Sequence, residues 1–509
     1  FLRDGDSALQ AHVRALDKPL RKFQSQTHQA RHTEVLWLRA PTGTGKTEAL
    51  LLWAGNTERL LYLLPTQATT NAMWQRLRKV YGEDAVALAH GRASYVLRRE
   101  SDEDPLDARL FGSVFAKPVT VATLDQYLLA HLHGRHWEER RTLARRATVV
   151  LDEIHAYEPY TLGLLLEALQ REPPARLALA SATLPEPILD LFPRGTLIEA
   201  EPELWQRRRH RIELREGSLL EEGPEEALRY AREGKRVLVI ANTIRDAQTL
   251  YQKLAETGWQ KLMLLHARFI LRDRMQREEK VSQAEAGTIF IATQVVEVSL
   301  DISYDVLITE IAPVDALVQR MGRVNRQGKC EPAPVIIYTH WSEGAQRVYG
   351  KELLEWSLEI LTALPAIPAD VDLAKATHQL YERVVNTEDW QRELAEGRAT
   401  LDELQCILGC YTIDLSDEEL RERFTARRGM VSVEVLPMQF VPEAYELREQ
   451  GELWRLPELL VPVPIWWFKV LAEQFSPISD LGVVQTRLAY DAELGLQPLC
   501  DQRVGAAIY

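Results

Sequence analysis

Two kinds of hydrophobic pattern alternate along most of the chain. Near-continuous apolar runs occur at Val35-Leu36-Trp37-Leu38, Leu60-Leu61-Tyr62-Leu63-Leu64, Thr148-Val149-Val150-Leu151 and Leu177-Ala178-Leu179-Ala180. Between them lie segments of helical periodicity, starting near Thr47 and Thr70. A short run that is apolar at every position reads as a strand buried on both faces. Such strands separated by helices predict a parallel sheet covered by helices. A charged stretch at 201–226 interrupts the pattern, which then restarts. The new runs are Val237-Leu238-Val239-Ile240, Leu262-Met263-Leu264-Leu265, Ile289-Phe290-Ile291, Val306-Leu307-Ile308 and Val335-Ile336-Ile337-Tyr338. Two α/β domains in tandem are expected, over residues 1–205 and 206–345. Beyond His340 the texture changes. Helical stretches rich in Glu, Leu and Arg run to about Arg423, followed by strand-like runs at Val431–Leu436 and Leu459–Leu471. Residues 346–509 are therefore expected to form a third, mixed α+β domain.

Composition narrows the classes. The 509 residues are 46% hydrophobic and 27% charged, too many for a single core and ordinary for a globular protein. The longest apolar runs, such as Val461–Val470, fall short of the roughly 18 residues of a membrane span and are broken by Pro and Lys. No membrane association is expected. No charged-then-apolar leader opens the chain, and only Cys406 and Cys410 of the four cysteines are close in sequence. Reduced thiols in a prokaryotic cytoplasm are the expectation. A net charge of −13 excludes a protein that coats nucleic acid by bulk positive charge. It leaves room for a motor whose track is a narrow groove. The basic clusters Arg207–Arg211, Arg140-Arg141 with Arg145-Arg146, and Arg421–Arg428 are expected to be solvated faces or linker charge.

The candidate chemistry begins at Ala40-Pro41-Thr42-Gly43-Thr44-Gly45-Lys46-Thr47, which closes a strand and opens a helix. This is a P-loop pattern with alanine at its first glycine position. The backbone N–H groups of Thr42, Gly43, Thr44 and Gly45 would surround phosphate oxygens at the positive end of the helix. Lys46, expected on an exposed loop, would reach the outer phosphates, and the Thr47 hydroxyl would ligate Mg²⁺. Leu151-Asp152-Glu153-Ile154-His155 ends another strand. There Asp152 would hold Mg²⁺ through water, and Glu153 would deprotonate the attacking water. ATP and Mg²⁺ are the expected cofactors. Further on come Ser181-Ala182-Thr183, Ile291-Ala292-Thr293-Gln294, Ser299-Leu300-Asp301 and Gln319-Arg320-Met321-Gly322-Arg323-Val324-Asn325-Arg326. Helical spacing lets Gln319, Arg323 and Arg326 aim at one point, and guanidinium groups stabilise charge on a transferred phosphoryl group. They lie in the second α/β region, so they would act on a nucleotide of the first only on closure, coupling hydrolysis to motion.

In order and spacing these strings resemble the motifs of superfamily 2 helicases, over about residues 20–345. The resemblance implies an α/β protein with two tandem RecA-like parallel-sheet domains and a mixed C-terminal domain. It implies that Gln24, in Phe23-Gln24, contacts adenine and that Asp301 is a further nucleotide-binding residue. Leu64-Pro65-Thr66 and Ala122-Thr123-Leu124-Asp125-Gln126 resemble backbone-binding motifs, so Pro65, Thr66 and Thr123 are expected to touch nucleic acid. Asn242, Thr243, His266, Arg268 and Thr293 are the matching residues of the second domain, and His155, Ser181 and Thr183 are expected to couple the two activities.

Within that superfamily the details are most similar to the helicase of type I CRISPR systems. The strings are Asp152-Glu153-Ile154-His155-Ala156-Tyr157, Thr123-Leu124-Asp125-Gln126, and Leu265-His266-Ala267-Arg268-Phe269 with Arg272-Asp273-Arg274. Gln294-Val295-Val296-Glu297-Val298-Ser299-Leu300-Asp301, Gln319–Arg326 and the tail Tyr490–Leu496 complete them. The resemblance implies an ATP-driven motor moving 3′ to 5′ on single-stranded DNA, after an RNA-guided surveillance complex (Cascade-type) has opened the target. That family commonly carries an N-terminal HD nuclease. This sequence has no His-Asp dipeptide and opens at Phe1, so the HD nuclease is expected on a separate subunit or removed upstream. Two other readings stay open: another superfamily 2 helicase of repair or RNA remodelling, and a nucleotide-gated binding protein without turnover. Trp466-Trp467-Phe468 suits either base stacking or the core of the third domain.

Overall fold

The computed structural model describes residues 19–55, 57–100, 110–300, 302–328, 331–410 and 432–497. The fold is α/β, with two parallel sheets and a smaller mixed one. The chain divides into two compact units, Phe1–Gln206 with Thr377–Arg428, and Arg207–Ala376 with Gly429–Tyr509. Residues of the region expected as a third domain are found in both units.

The first unit holds β1 (Val35–Arg39), β2 (Leu60–Leu64), β3 (Val86–Ala89), β4 (Val119–Thr123), β5 (Thr148–Asp152), β6 (Arg176–Ser181) and β7 (Thr196–Glu199). They form one sheet in the order β3-β4-β2-β5-β6-β1-β7, every pairing parallel. The period of two sorts β2 between the faces. Leu61 and Leu63 join Val149 and Leu151 in one apolar cluster, whereas Leu60, Tyr62 and Leu64 join Val150 in another. Burial on both sides explains why β2, β5 and β6 are legible as apolar runs, while β1 alternates buried with half-buried residues. β3 and β4 were not legible, because their Ala and Thr residues weaken the signal.

Helix Glu388–Cys410 joins this unit through Trp390, Leu394, Leu401 and Leu404, which pack into the cluster that lines β5. It crosses helix Pro159–Arg171 at two glycines. A Cβ on Gly163 would lie 2.1 Å from the Leu394 carbonyl oxygen, and one on Gly397 would lie 2.1 Å from that of Tyr160. Two backbones this close leave no room for any side chain.

The second unit holds β8 (His210–Ser218), β9 (Val237–Ile240), β10 (Leu262–Leu265), β11 (Ile289–Ala292), β12 (Val306–Glu310) and β13 (Ala333–His340). Their order is β10-β11-β9-β12-β13-β8, again all parallel. β8 lies within the charged stretch at 201–226 that interrupts the apolar pattern. It is an edge strand whose alternate residues Arg211 and Glu213 are exposed, so polar side chains on that face keep their water. The basic clusters are also less solvated than expected. Arg209 is buried against Asp370 at 2.8 Å, and Arg140 is buried with its guanidinium on the Gln126 carbonyl at 3.3 Å. Arg421–Arg428 lies outside the described residues.

A mixed sheet of β14 (Ser432–Pro437), β15 (Val461–Pro464), β16 (Phe475–Ile478) and β17 (Val483–Thr486) runs in the order β15-β14-β17-β16. The expected strand Leu459–Leu471 is shorter than its apolar run: β15 ends at Pro464, and Trp467–Val470 is helical. Prolines at 462 and 464 cannot donate, which confines β15 to the sheet edge. Val435, Val461, Val463 and Trp467 join the apolar cluster of β9–β12, so the Trp466-Trp467-Phe468 run contributes to a core. The tail hairpin of β18 (Tyr490–Asp491) and β19 (Gly495–Leu496) docks on the segment after β10, with Leu496 N donating to the Arg268 carbonyl at 2.8 Å and the Tyr490 hydroxyl to Asp273 at 2.6 Å. Among the described residues no helix is long and apolar enough to cross a membrane.

Candidate functional site

The C-terminal ends of β1, β5 and β6 lie side by side in one sheet, and the residues that follow them converge. The loop after β1 turns into helix Lys46–Ala54 through Gly45, which sits at φ +93°, a conformation that favours glycine. Gln24 packs against that turn. Its Nε2 donates to the Gly45 carbonyl at 3.1 Å and its Oε1 accepts from Arg21 N at 2.9 Å, so the amide braces the loop. Thr44 is buried and donates to the Pro41 carbonyl at 2.6 Å, while Thr42 and Gly43 lie nearer the surface.

Lys46 is the first residue of the helix and is buried, a correction to the exposed-loop expectation. Its Nζ lies 2.8 Å from Glu153 Oε1 and 3.9 Å from Asp152 Oδ1. Burial pulls the ammonium's pKa down, but the two carboxylates outweigh it and the net shift is upward. Asp152, at the end of β5, is raised by burial against the opposing pull of Lys46. Both its oxygens are tied: Oδ1 accepts from Glu153 N at 3.0 Å and Oδ2 from the Tyr62 hydroxyl at 2.7 Å. Glu153 has φ +55°, left-handed for a residue that gains nothing from it, and this aims its side chain at Lys46.

Thr47 follows Lys46 on the same helix, and its side chain lies near the Tyr62 hydroxyl that holds Asp152. A hydroxyl and a carboxylate are hard oxygen donors of the kind Mg²⁺ takes, and the pair fits that ion. Arg76 donates to Thr47 Oγ1 at 3.0 Å and pairs with Glu48. Neither Tyr62 nor Arg76 was singled out from sequence. Tyr62 looks like one more core residue of an apolar strand, its hydroxyl being the sole hint, and Arg76 like an exposed helix position.

Beneath Glu153, His155 Nδ1 and Ser181 Oγ share a hydrogen bond of 2.7 Å, and Ser181 Oγ accepts from Thr183 N at 3.2 Å. The three residues assigned to coupling are thus brought together, with Ser181 Oγ 3.5 Å from Glu153 Oε2. At the neighbouring strand ends, Pro65 and Thr66 follow β2, where Thr66 caps helix Gln67–Tyr81, and Thr123 ends β4, buried.

In the second unit, Asn242 and Thr243 follow β9 and Thr293 follows β11, adjacent strands of the sheet. His266 and Arg268 are also buried. His266 is fully buried, with Nε2 3.0 Å from the Leu494 carbonyl and Nδ1 accepting from Arg268 N at 3.1 Å, so it has no free edge for a nucleic acid. Arg268 is buried with its guanidinium 4.4 Å from the centre of the Trp467 ring. Gln319 lies on helix Val314–Met321, half-buried, and Arg326 lies beyond it, also half-buried. Arg323 donates to the Leu300 carbonyl at 2.7 Å and to that of Glu297. Between them Arg320, missed from sequence, is wholly buried. Asp301 lies outside the described residues.

Comparison with known proteins adds to this geometry. A family model described as DEAD/DEAH box helicase matches residues 21–191, and one described as CRISPR-associated nuclease/helicase Cas3, C-terminal, matches residues 233–329. The putative CRISPR-associated nuclease/helicase Cas3 of Methanocaldococcus jannaschii is 28% identical over 492 residues, covering 86% of this chain and 64% of its own length. Against the curated relatives it matches, the chain spans between 40% and 64% of their length. The crystal structure of T. fusca Cas3 has a TM-score of 0.76 at 21% identity, covering 97% of this chain and 70% of that one. A structure described as a CRISPR RNA-guided surveillance complex, pre-nicking, includes a chain with a TM-score of 0.63 at 21% identity, covering 94% of this chain and 68% of that one. These structures share its fold.

Proposed function

From a chain homologous to the Cas3 helicases, we propose an ATP-dependent translocase on single-stranded DNA, moving 3′ to 5′ in CRISPR interference within the prokaryotic cytoplasm. The observation that carries this is the meeting of Lys46, Glu153, Asp152 and Thr47 at one edge of a parallel sheet. A cation for phosphate, a base for water and two hard oxygens for Mg²⁺ are what phosphoryl transfer to water requires. Mg²⁺, when bound, supplies charge that offsets the β- and γ-phosphate oxygens. ATP draws Lys46 from Glu153 to its own phosphates, which frees the Glu153 carboxylate to take a proton. Asp152 stays fixed by Tyr62. The bond from His155 to Ser181 passes the state of the Glu153 loop to β6. Arg323 and Arg326 are assigned the stabilisation of the transferred phosphoryl group, and Pro65, Thr66, Thr123, Asn242, Thr243 and Thr293 the contact with the DNA backbone.

The partner is an RNA-guided surveillance complex that exposes single-stranded target DNA. The reading is tested by ATP turnover of the purified chain with no nucleic acid, with single-stranded DNA and with RNA. DNA should stimulate and RNA should not, and Arg326→Ala should lose most of that stimulation while its DNA affinity at fixed salt stays the same. Arginines in this role contribute about 10³–10⁵ in rate. Stronger stimulation by RNA, or none by DNA, overturns the reading.

A further inference from the structure

The second unit buries a polar centre that the nucleotide site does not account for. Arg320 is fully inaccessible, and a guanidinium has five N–H donors that must all find acceptors when water is excluded. Its Nε donates to Glu297 Oε1 at 2.8 Å. One terminal nitrogen donates to Thr309 Oγ1 at 2.7 Å and to the Glu310 carbonyl at 3.4 Å. The other donates to Asn242 Oδ1 at 2.9 Å and to the Tyr349 hydroxyl at 3.2 Å. Gln294 Nε2 closes the ring, donating to the Asn242 carbonyl at 2.8 Å and to the same Tyr349 hydroxyl at 3.1 Å.

Tyr349 is the unexpected member. It ends helix Glu343–Tyr349, beyond β13 and outside the residues that the Cas3-like family model matches. The start of that helix is tied as well. Ser342 Oγ donates to Asp246 at 2.9 Å, and Ser342 N donates to Glu310 Oε1 at 2.6 Å. Ser342 also caps the helix by accepting from Ala345 N at 3.1 Å. A seven-residue helix is therefore fastened at both ends across the C-terminal ends of β9, β11 and β12.

We infer that Tyr349 is a positioning residue of the motor. Its hydroxyl locks Gln294, next to Thr293, to Arg320, on the helix that carries Gln319 and leads to Arg323 and Arg326. A displacement of the strand ends by bound DNA is then passed to the arginine segment as one rigid movement. Arg323 strengthens the same joint through its bonds to the carbonyls of Leu300 and Glu297. The inference rests on the proposed function, because it concerns how DNA raises turnover.

The test is Tyr349→Phe in the full chain, which keeps the ring and removes only the hydroxyl. Basal turnover, DNA-stimulated turnover, DNA affinity at fixed salt and the thermal midpoint are measured beside wild type. The ratio of stimulated to basal turnover should fall about fivefold or more, with DNA affinity within about twofold. Combined with Gln294→Met, the loss should match the larger single loss rather than the product of both, since the two act through one joint. An unchanged ratio in Tyr349→Phe overturns the inference and leaves the proposed function standing. So does a proportional fall of both rates with a lower thermal midpoint, which marks a merely structural hydroxyl. Wild type without any DNA stimulation overturns both.

Discussion

Lys46 shows how one side chain is held ready by the groups it must later leave. Without nucleotide its ammonium is shared between Glu153 and Asp152, so neither carboxylate is a lone charge in a buried site. Lys46→Ala should therefore do two things. ATP turnover should vanish, and the thermal midpoint of the nucleotide-free protein should fall by the equivalent of about 1–3 kcal/mol, because polar groups lose their partner. Glu153→Gln should bind ATP and hydrolyse it slowly, since an amide cannot take the proton of water. Nucleotide binding by fluorescence titration, run beside steady-state turnover, separates the two variants. Loss of affinity in Glu153→Gln would remove Glu153 from its role as base. Tyr62 and Arg320 make the complementary point. Each looks like core or surface from its own neighbours in sequence and acquires a role only from residues far along the chain.

Among elements, the crossing of Pro159–Arg171 with Glu388–Cys410 decides which unit the later helices join. Gly163 and Gly397 let the backbones touch, and the flanking Trp390, Leu394 and Leu401 then reach the core. Tyr160 and Thr400 bridge the same crossing with a 3.1 Å hydrogen bond. Gly397→Ala should force the helices apart and cost about 1–3 kcal/mol, the range for an overpacked contact. Faster hydrogen exchange across 388–404, with little change at β9–β12, is the expected signature. Uniform exchange in variant and wild type would show that the close approach is dispensable.

At the scale of the whole molecule, buried histidines set the response to acid. His90 and His210 are pushed down to about 4, and His131 and His266 to about 3, in each case first by burial. All four are neutral when folded and bind protons near pH 6.5 when unfolded. Their contribution is complete above about pH 6.5 and is lost as pH falls toward 4–3, at about 1.4 kcal/mol per pH unit for each group. Glu310 works the other way. Burial raises it to about 7, so its share is present below the usual carboxylate range and is lost as pH rises through 7. These four histidines outnumber the raised carboxylates Glu310, Asp152 and Glu297, so stability falls as pH drops from 6.5 to 5. His131 tests the account, because its Nε2 has no hydrogen-bond partner among the described residues. His131→Leu should be nearly neutral at pH 7.5 and about 2 kcal/mol more stable than wild type at pH 5. Urea unfolding at both values measures it, and an equal effect at the two pH values would exclude the histidine as the cause.

The strands of the two parallel sheets other than β3, β4, β7 and β8, and the phosphate loop, were legible because their signals are local. A run of apolar residues states that both faces of a strand are covered, and a Gly-rich turn before Lys-Thr states that a helix begins on a phosphate cradle. The pairing of His155 with Ser181 was legible only through resemblance. The burial of His266 and Arg268 was not legible for a related reason. A motif string names residue types but not which way each faces, and the tail hairpin that covers His266 arrives more than 220 residues later. The mixed sheet of the C-terminal region was expected, but the surface it packs on was not legible, since an amphipathic helix or an apolar strand requires burial without naming the surface that provides it. Sequence by itself determined what must be buried and where the proposed phosphate site lies. Only the tertiary structure decided the partners, because the closures that fix Tyr62 on Asp152, Tyr349 on Arg320 and Gly397 on Tyr160 join residues that no local pattern relates.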